Sequence, residues 1–185
     1  MIPIALDPRR SPVAVAGRGE AIARRIRLLA TGASSVQVFT DDPDVVASLP
    51  GSAVLHDGLP GAIDFSGVRA LWIAGLNEAD SAALATCARQ CGVLVNVEDR
   101  PALCDFHSVA ELRRGDLLIA VSTGGQSPGL AARIRTWLAG AFGPEWASHT
   151  AQIGAYRNEW RRQGASIAEL ARMTDEIIEA RAWMP

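Results

Sequence analysis

The sequence has few of the features that mark secreted, membrane or nucleic-acid-binding proteins. Its 185 residues include only three cysteines. No apolar run approaches the roughly 18 residues that a membrane span requires, and Pro3, Pro8 and charged residues interrupt any signal-peptide core. The formal net charge of −2 argues against a generally basic, nucleic-acid-binding surface. We therefore expect a soluble cytoplasmic protein with no membrane and no nucleic-acid partner.

The cysteines do not form a recognisable metal-binding pattern. Cys87 and Cys91 lie four residues apart in a stretch with helical periodicity, which places them one turn apart. Cys104 or His107 could extend this pair, but the spacing of a four-ligand zinc site is missing. We interpret the cysteines as buried free thiols and His107 as a hydrogen-bonded core or interface residue, and we predict no resident metal ion.

The sequence does contain an alternation of short apolar strands and amphipathic helices. The first helix carries Ile22, Ile26 and Leu29 on one face, and the second is expected between Asn77 and Gly92. The predicted strands are VAVA, SSVQVFTDD, RALWIAG and VLVNVED, with a weaker one near Ala53 to His56. This order predicts an α/β fold with a Rossmann-type parallel sheet and right-handed crossovers.

The pattern changes after Pro101. Two strands joined by a turn at Arg114 to Asp116 are followed by a helix that begins at Ser127. Two further helices are separated near Gly164. The segment DLLIAVS is too apolar for an exposed sheet edge, so we expect a homodimer. We predict a Rossmann domain at 1–104, a small α+β dimerisation domain at 105–143 and a C-terminal helical region at 144–185.

Two glycines lie between the first strand and the first helix. Gly17 allows a sharp turn, and Gly19 leaves room for a pyrophosphate beside the N–H groups of the helix. The second strand ends in Asp41 and Asp42, about 20 residues further on, where an acidic residue holds the adenosine ribose of NAD. The third small position of G-x-G-x-x-G is occupied by Ile22, which we expect to hinder close packing of helix and strand. The pattern favours an NAD site over an NADP site.

The residues themselves leave other interpretations open. The loop is also compatible with a glycine-rich turn that binds nothing, with an NAD-sensing regulatory domain without catalysis, and with a methyltransferase that uses S-adenosylmethionine. Arg18 is the residue best placed to touch a phosphate, whereas the helix arginines Arg24, Arg25 and Arg27 are mostly interpreted as a solvated face. From the residues alone, an aspartate at position 99 is at least as well explained as a turn or helix-capping residue as it is as a catalytic residue.

Several stretches together resemble the precorrin-2 dehydrogenase family, which includes the N-terminal module of siroheme synthase. They are VAVAGRGEAIARRIRLL, VLVNVEDRP, DFHSVAELRRGDLLIAVSTGGQSPGLAARIR and the helical tail. The resemblance implies NAD-dependent oxidation of precorrin-2 to sirohydrochlorin in siroheme biosynthesis. Some members also insert Fe²⁺ as a substrate to give siroheme. The methyltransferase domain that is fused to some relatives lies outside this sequence, so we do not expect the chain to make precorrin-2.

The resemblance also implies roles for individual residues. The cofactor contacts fall on Gly17, Arg18, Gly19, Glu20, Ala21, Asp41, Asp42, Gly75 and Asn77. The catalytic aspartate of an N-V-x-D motif falls on Asp99, which would act as the base that removes a proton. The substrate contacts fall on Asn96 and on the turn at Ser122, Thr123 and Gly124. We add Arg133 as a cation for the carboxylates of the substrate, with solubility or pairing at a dimer rim as the alternative.

Overall fold

The computed structural model describes residues 2–32 and 35–184. The chain forms two compact units, Met1–Ser108 and Val109–Pro185. The predicted division into domains at 1–104, 105–143 and 144–185 is finer than this and stays a prediction. Ser34, which belongs to the predicted second strand, lies outside the described residues.

The first unit is built on one parallel sheet. Its elements are, in chain order, β1 (Val13–Gly17), α1 (Gly19–Ala30), β2 (Val36–Thr40), α2 (Pro43–Ala47), β3 (Ala53–Asp57), β4 (Ala70–Ala74), α3 (Glu78–Gln90) and β5 (Leu94–Val97). The five strands are all parallel and lie in the order β3-β2-β1-β4-β5. The predicted Rossmann-type sheet is therefore confirmed, and the direction of strand succession reverses between β1 and β4. Ligands of open α/β sheets bind at such a reversal, beyond the carboxyl ends of the strands.

The sheet is covered on both faces. Alternate residues of β1 contribute to two apolar clusters, Ala14 and Ala16 to one and Val13 and Val15 to the other. The first cluster includes residues of α3 and the second includes residues of α1. Strands buried on both faces have no polar alternation, which is why the segment at β1 is apolar throughout.

Ile22 packs in the core between α1 and the sheet. Its side chain is fully buried in the same cluster as Val13, Val15 and Ile26. The structure thus accommodates this branched side chain in the core, and its effect on the affinity for the cofactor stays a prediction. Burial of a side chain of this size contributes about 1.5–3 kcal/mol to stability.

The second unit contains a β-hairpin and three helices. Its elements are β6 (Ala110–Arg114), β7 (Leu117–Val121), α4 (Pro128–Ala141), α5 (Trp146–Arg162) and α6 (Ile167–Ala180). The two strands pair antiparallel, and Gly115 in their turn has a φ of 56°. Helix α6 begins with a capping box formed by Ser166 and Glu169. Among the described residues, no helix is both long enough and apolar enough to cross a membrane.

Candidate active site

Two glycines bring the loops after β1 and β4 into direct contact. Gly17 has a φ of 146°, and a Cβ atom there would lie 1.7 Å from the carbonyl oxygen of Ala74. Gly75 has a φ of 70°, and a Cβ atom there would lie 1.8 Å from the carbonyl oxygen of Arg18. No other residue type fits either position, because both the backbone conformation and the space exclude a side chain. The two loops are thus fixed to each other at the reversal of the strand order.

The first turn of α1 is hydrogen-bonded to the carboxylate of Asp42. The N–H group of Gly19 donates a hydrogen bond to Oδ2 of Asp42 over 2.8 Å. The other carboxylate oxygen, Oδ1, accepts from the N–H groups of Asp44 and Val45 and so caps α2. The hydrogen bond from Gly19 is the main reason why the pKa of Asp42 lies below its ordinary value. Gly19 and Asp42, both predicted to contact the cofactor, contact each other.

Arg18 and Asp41 form a two-pronged ion pair beside this contact. Nε of Arg18 lies 2.5 Å from Oδ1 of Asp41, and Nη2 lies 2.6 Å from Oδ2. This pairing lowers the pKa of Asp41 and raises that of Arg18. The sequence predicted both as cofactor contacts, with Arg18 placed to touch a phosphate, and the structure shows them bound to each other.

Thr40 links the first loop to the end of β2. Its fully buried hydroxyl donates to the carbonyl oxygen of Gly17 over 2.8 Å and accepts from the N–H of Asp42 over 3.1 Å. Sequence reasoning did not identify Thr40. A hydroxyl residue at the end of an apolar strand, directly before two carboxylates, was the available signal.

Asp99 follows β5 in an unusual backbone conformation. Its φ is 57°, in the left-handed region that non-glycine residues seldom adopt. Asp99 lines a cavity of about 370 Å³ together with Ala21, Gly75, Leu76, Glu98 and Arg100. Three residues that the sequence predicted for the site, Ala21, Gly75 and Asp99, therefore face one cavity. Left-handed residues often occur at functional sites, where the surrounding structure maintains them.

Two further side chains frame this cavity and were not singled out as site residues. Glu98, with 16% of its side chain exposed, pairs with Arg24 of α1 over 2.7 Å. Arg100 donates to the carbonyl oxygen of Leu76 over 3.3 Å and to the hydroxyl of Ser81 over 3.4 Å. These contacts tie the end of β5 to α1 and to the start of α3, on either side of Asp99.

Asn96 is buried and hydrogen-bonded to its own chain. It is only 7% exposed, and its Nδ2 donates to the carbonyl oxygen of Phe106 over 2.9 Å. The hydroxyl of Ser108 donates to Oδ1 of Asn96 and accepts from Nε1 of Trp72 and from Nη1 of Arg25. In the structure, Asn96 therefore fixes the segment from Phe106 to Ser108 through hydrogen bonds. Its predicted contact with the substrate stays a prediction. Burial lowers the pKa of Arg25, which is therefore not part of a fully solvated face.

The remaining predicted cofactor residues lie at the starts of helices. Glu20, in the first turn of α1, pairs with Arg27. Asn77 caps α3, since its Oδ1 accepts from the N–H of Asp80 over 2.9 Å. Both residues are exposed in the structure. Their contacts with a cofactor stay predictions.

The other predicted substrate residues lie in the second unit. The hydroxyl of Thr123 accepts from the N–H of Ser127 and donates to its carbonyl oxygen, both over 3.0 Å. The N–H of Gly124 donates to the hydroxyl of Ser122 over 3.2 Å. Arg133 is exposed on α4. The turn is thus ordered by its own hydroxyl groups before α4 begins.

The cysteines are free thiols but are not all buried. Cys91 ends α3 and is exposed, which corrects the expectation of three buried thiols, whereas Cys87 and Cys104 are half-buried. The Sγ atom of Cys104 accepts from the N–H of Val97 over 3.2 Å. Within residues 2–32 and 35–184, no group of three or more His, Cys, Asp or Glu side chains is arranged to hold a metal ion.

Comparisons with known proteins identify the family. A family model described as putative NAD(P)-binding matches residues 4–110, which is more than half of the chain. The chain belongs to this NAD(P)-binding family. A second model, described as sirohaem biosynthesis protein central, matches residues 114–139. The two adjacent matches confirm the resemblance that the sequence motifs indicated.

Relatives of this NAD(P)-binding family member include several siroheme synthases. That of Methylococcus capsulatus is 39% identical over 138 residues, covering 73% of this chain and 29% of the relative. Siroheme synthase 1 of Yersinia enterocolitica is 30% identical over 186 residues, covering 97% of this chain and 39% of the relative. The chain thus spans well under half the length of these relatives.

A solved structure shares the fold of the whole chain. The protein described as SirC, precorrin-2 dehydrogenase, matches with a TM-score of 0.78 and 24% sequence identity. The match covers 100% of this chain and 92% of that chain. The likeness establishes that the two proteins have a common fold.

Proposed function

We propose that the protein is an NAD-dependent precorrin-2 dehydrogenase, which oxidises precorrin-2 to sirohydrochlorin in siroheme biosynthesis. The observation that carries this proposal is the position of Asp99, which lines one cavity with Ala21 and Gly75 at the reversal of the strand order. The family match, the siroheme synthase relatives and the fold shared with a precorrin-2 dehydrogenase support it.

The first loop fits a dinucleotide. Gly19 faces open space, since a Cβ atom there would meet nothing within 4 Å, and its N–H lies in the first turn of α1. We propose that the loop residues Gly17, Arg18, Gly19, Glu20 and Ala21, with Asp41, Asp42, Gly75 and Asn77, hold NAD⁺. When bound, NAD⁺ supplies the hydride acceptor. Asp42 must then release or share the N–H of Gly19, because the carboxylate accepts its hydrogen bond in the structure.

Asp99 is the proposed base. Removal of a hydride equivalent from precorrin-2 leaves a proton to be taken up, and the carboxylate of Asp99 accepts it. The contacts of Glu98 with Arg24 and of Arg100 with Leu76 position the backbone on both sides of Asp99. The chain orients this base before the substrate arrives, which is the main contribution that a fixed scaffold makes to catalysis.

The activity is tested by absorption spectroscopy. The purified protein is mixed with precorrin-2 and NAD⁺, and we expect the absorption band of sirohydrochlorin to appear only when NAD⁺ is present. A protein that binds NAD⁺ but gives no sirohydrochlorin is instead the NAD-sensing regulatory domain. Addition of Fe²⁺ in a second cuvette tests whether the metal ion is also a substrate, in which case Asp99 would accept the pyrrole protons.

Arg133→Ala is expected to raise the KM for precorrin-2 about tenfold, because loss of one charge-assisted hydrogen bond costs roughly 1.5 kcal/mol. We propose that Arg133 binds a carboxylate of the substrate. The Kd for NAD⁺ should not change. Arg161→Ala removes an exposed arginine of the same unit and is the matched control. An unchanged KM in Arg133→Ala would remove this residue from the proposed site.

We also propose that the protein is a homodimer in the cytoplasm. The second unit leaves large apolar side chains exposed: Leu118 on β7 is 38% exposed, and Leu130 and Trp137 on α4 are 52% and 72% exposed. Apolar residues of this size on a small hairpin and its neighbouring helix are typical of an interface between subunits. The free thiols fit the reducing conditions of the cytoplasm.

A further inference from the structure

Arg100 is shared by two neighbouring cavities of the first unit. It lines the cavity that contains Asp99, and it also lines a second cavity of about 390 Å³. The other residues of this second cavity are Glu78 and Ala82 of α3 and the segment 101–103 that follows β5. Arg100 therefore lies between the proposed base and a second, largely apolar recess.

The positive charge of Arg100 has no carboxylate partner among the residues that the structure describes. Its Nη1 atom donates to two neutral oxygen atoms, the carbonyl oxygen of Leu76 over 3.3 Å and the hydroxyl of Ser81 over 3.4 Å. Both distances exceed the usual range of strong N–H···O hydrogen bonds. Within residues 2–32 and 35–184, the Nε and Nη2 atoms make no hydrogen bond. The half-buried guanidinium thus keeps its charge and most of its donors for a ligand.

Two other arginines near the Asp99 cavity differ from Arg100 in this respect. Arg18 pairs with Asp41, and Arg24 pairs with Glu98. Because carboxylates of the chain already neutralise these two charges, an incoming anion must first displace a carboxylate. Arg100 requires no such exchange. A half-buried cation without a counter-ion has an unfavourable desolvation free energy, which a bound anion offsets.

We propose that Arg100 binds one carboxylate arm of the tetrapyrrole substrate in the second cavity and so determines where the reacting carbon lies relative to Asp99. The methylene groups of the arm pack against Ala82, Pro101 and Leu103, and its carboxylate contacts the guanidinium. Arginine binds a carboxylate through two parallel hydrogen bonds, which fixes the direction of the arm as well as its end. The inference rests on the proposed function of the protein as a precorrin-2 dehydrogenase.

Glu78 gives the second cavity an electrostatic direction. Its carboxylate is exposed in the first turn of α3 and makes no ion pair with Arg100 or with any other described residue. A carboxylate arm is repelled by Glu78 and attracted by Arg100. The end of the arm is therefore held at the wall that the second cavity shares with the Asp99 cavity.

The test is steady-state kinetics of precorrin-2 oxidation, together with the Kd for NAD⁺. Arg100→Gln removes the charge but keeps a hydrogen-bond donor. We expect the KM for precorrin-2 to rise about tenfold with an unchanged Kd for NAD⁺, the change that loss of one charge-assisted hydrogen bond produces. Arg100→Lys keeps the charge, so its KM should rise less. Arg69→Gln removes an exposed arginine directly before β4 and is the matched control, with an unchanged KM.

Three results would overturn the inference. One is an Arg100→Gln protein that keeps the original KM, and another is an equal loss of affinity for NAD⁺ and for precorrin-2, which a merely structural role of Arg100 predicts. The third is a Glu78→Gln protein whose KM rises as much as that of Arg100→Gln, because removal of the opposite charge should not weaken binding of a carboxylate. Arg100→Met provides a second uncharged variant if the glutamine form does not fold.

Failure of the inference can be distinguished from failure of the proposed function. A protein that shows no NAD⁺-dependent oxidation of precorrin-2 before any substitution contradicts the proposed function, and the inference with it. Normal turnover with an unchanged KM in Arg100→Gln contradicts only the role of Arg100.

Discussion

Asp99→Asn is expected to lower kcat for precorrin-2 oxidation by about 10²–10⁴-fold, the usual contribution of a general base. The amide cannot accept the proton that the carboxylate takes up. Affinity for NAD⁺ should remain within a factor of about two, because Asp99 is not among the proposed nucleotide contacts, which lie on the first loop, at the end of β2 and after β4, and each tenfold change in Kd needs about 1.4 kcal/mol. The measurement is steady-state kinetics together with the Kd for NAD⁺.

Asparagine is the appropriate replacement at this position for a conformational reason. Asp99 has a φ of 57°, and asparagine adopts this left-handed region more readily than other side chains except glycine. Alanine there would add backbone strain of about 1–2 kcal/mol. A lower kcat could then result from a changed backbone conformation as well as from loss of the carboxylate. Asp99→Asn therefore isolates the carboxylate.

Glu98→Gln is the matched control for Asp99→Asn. It removes a neighbouring carboxylate that lines the same cavity and pairs with Arg24. If Glu98 only positions the backbone, the kcat of Glu98→Gln should fall far less than that of Asp99→Asn. Full activity in Asp99→Asn, with normal precorrin-2 and NAD⁺ binding, would show that another group takes up the proton.

The architecture of the first unit follows from local patterns in the sequence. The segments at β1 and β4 are apolar because both faces of these strands are covered, and such runs are visible without a structure. Strand β3 gave a weaker signal because it contributes little to the core: Val54 and Leu55 are exposed, and no residue of the strand is fully buried. The alternation of strands and helices then indicated that the strands are parallel and joined by right-handed crossovers.

The contacts within the candidate site could be predicted only in part. Glycines between a strand and a helix indicated the first loop, but the approach of Gly17 to Ala74 depends on the pairing of β1 with β4. The Arg18–Asp41 pair joins side chains 23 positions apart, and no local pattern indicates that they meet. The hydrogen bond from Arg25 to the hydroxyl of Ser108 likewise joins residues 83 positions apart.

Gly17→Ala is expected to destabilise the protein by about 3 kcal/mol, the upper end of the usual cost of overpacking, and to lower the midpoint of thermal unfolding by about 6–12 °C. The added Cβ atom would lie 1.7 Å from the carbonyl oxygen of Ala74, so the first loop must separate from the loop after β4. Because this separation also moves the start of α1, we expect a large loss of NAD⁺ affinity. Thermal unfolding, with and without NAD⁺, measures both effects.

Gly19→Ala distinguishes this steric clash from a general need for glycine. Gly19 also has a positive φ, of 68°, but a Cβ atom there would meet nothing within 4 Å. Its replacement should therefore cost only the backbone strain, about 1–2 kcal/mol. Equal unfolding midpoints for the two variants would contradict the close approach of Gly17 to Ala74. A much lower midpoint for Gly17→Ala would instead show that the close contact between the loops after β1 and β4, rather than the flexibility of the glycines, stabilises the candidate site.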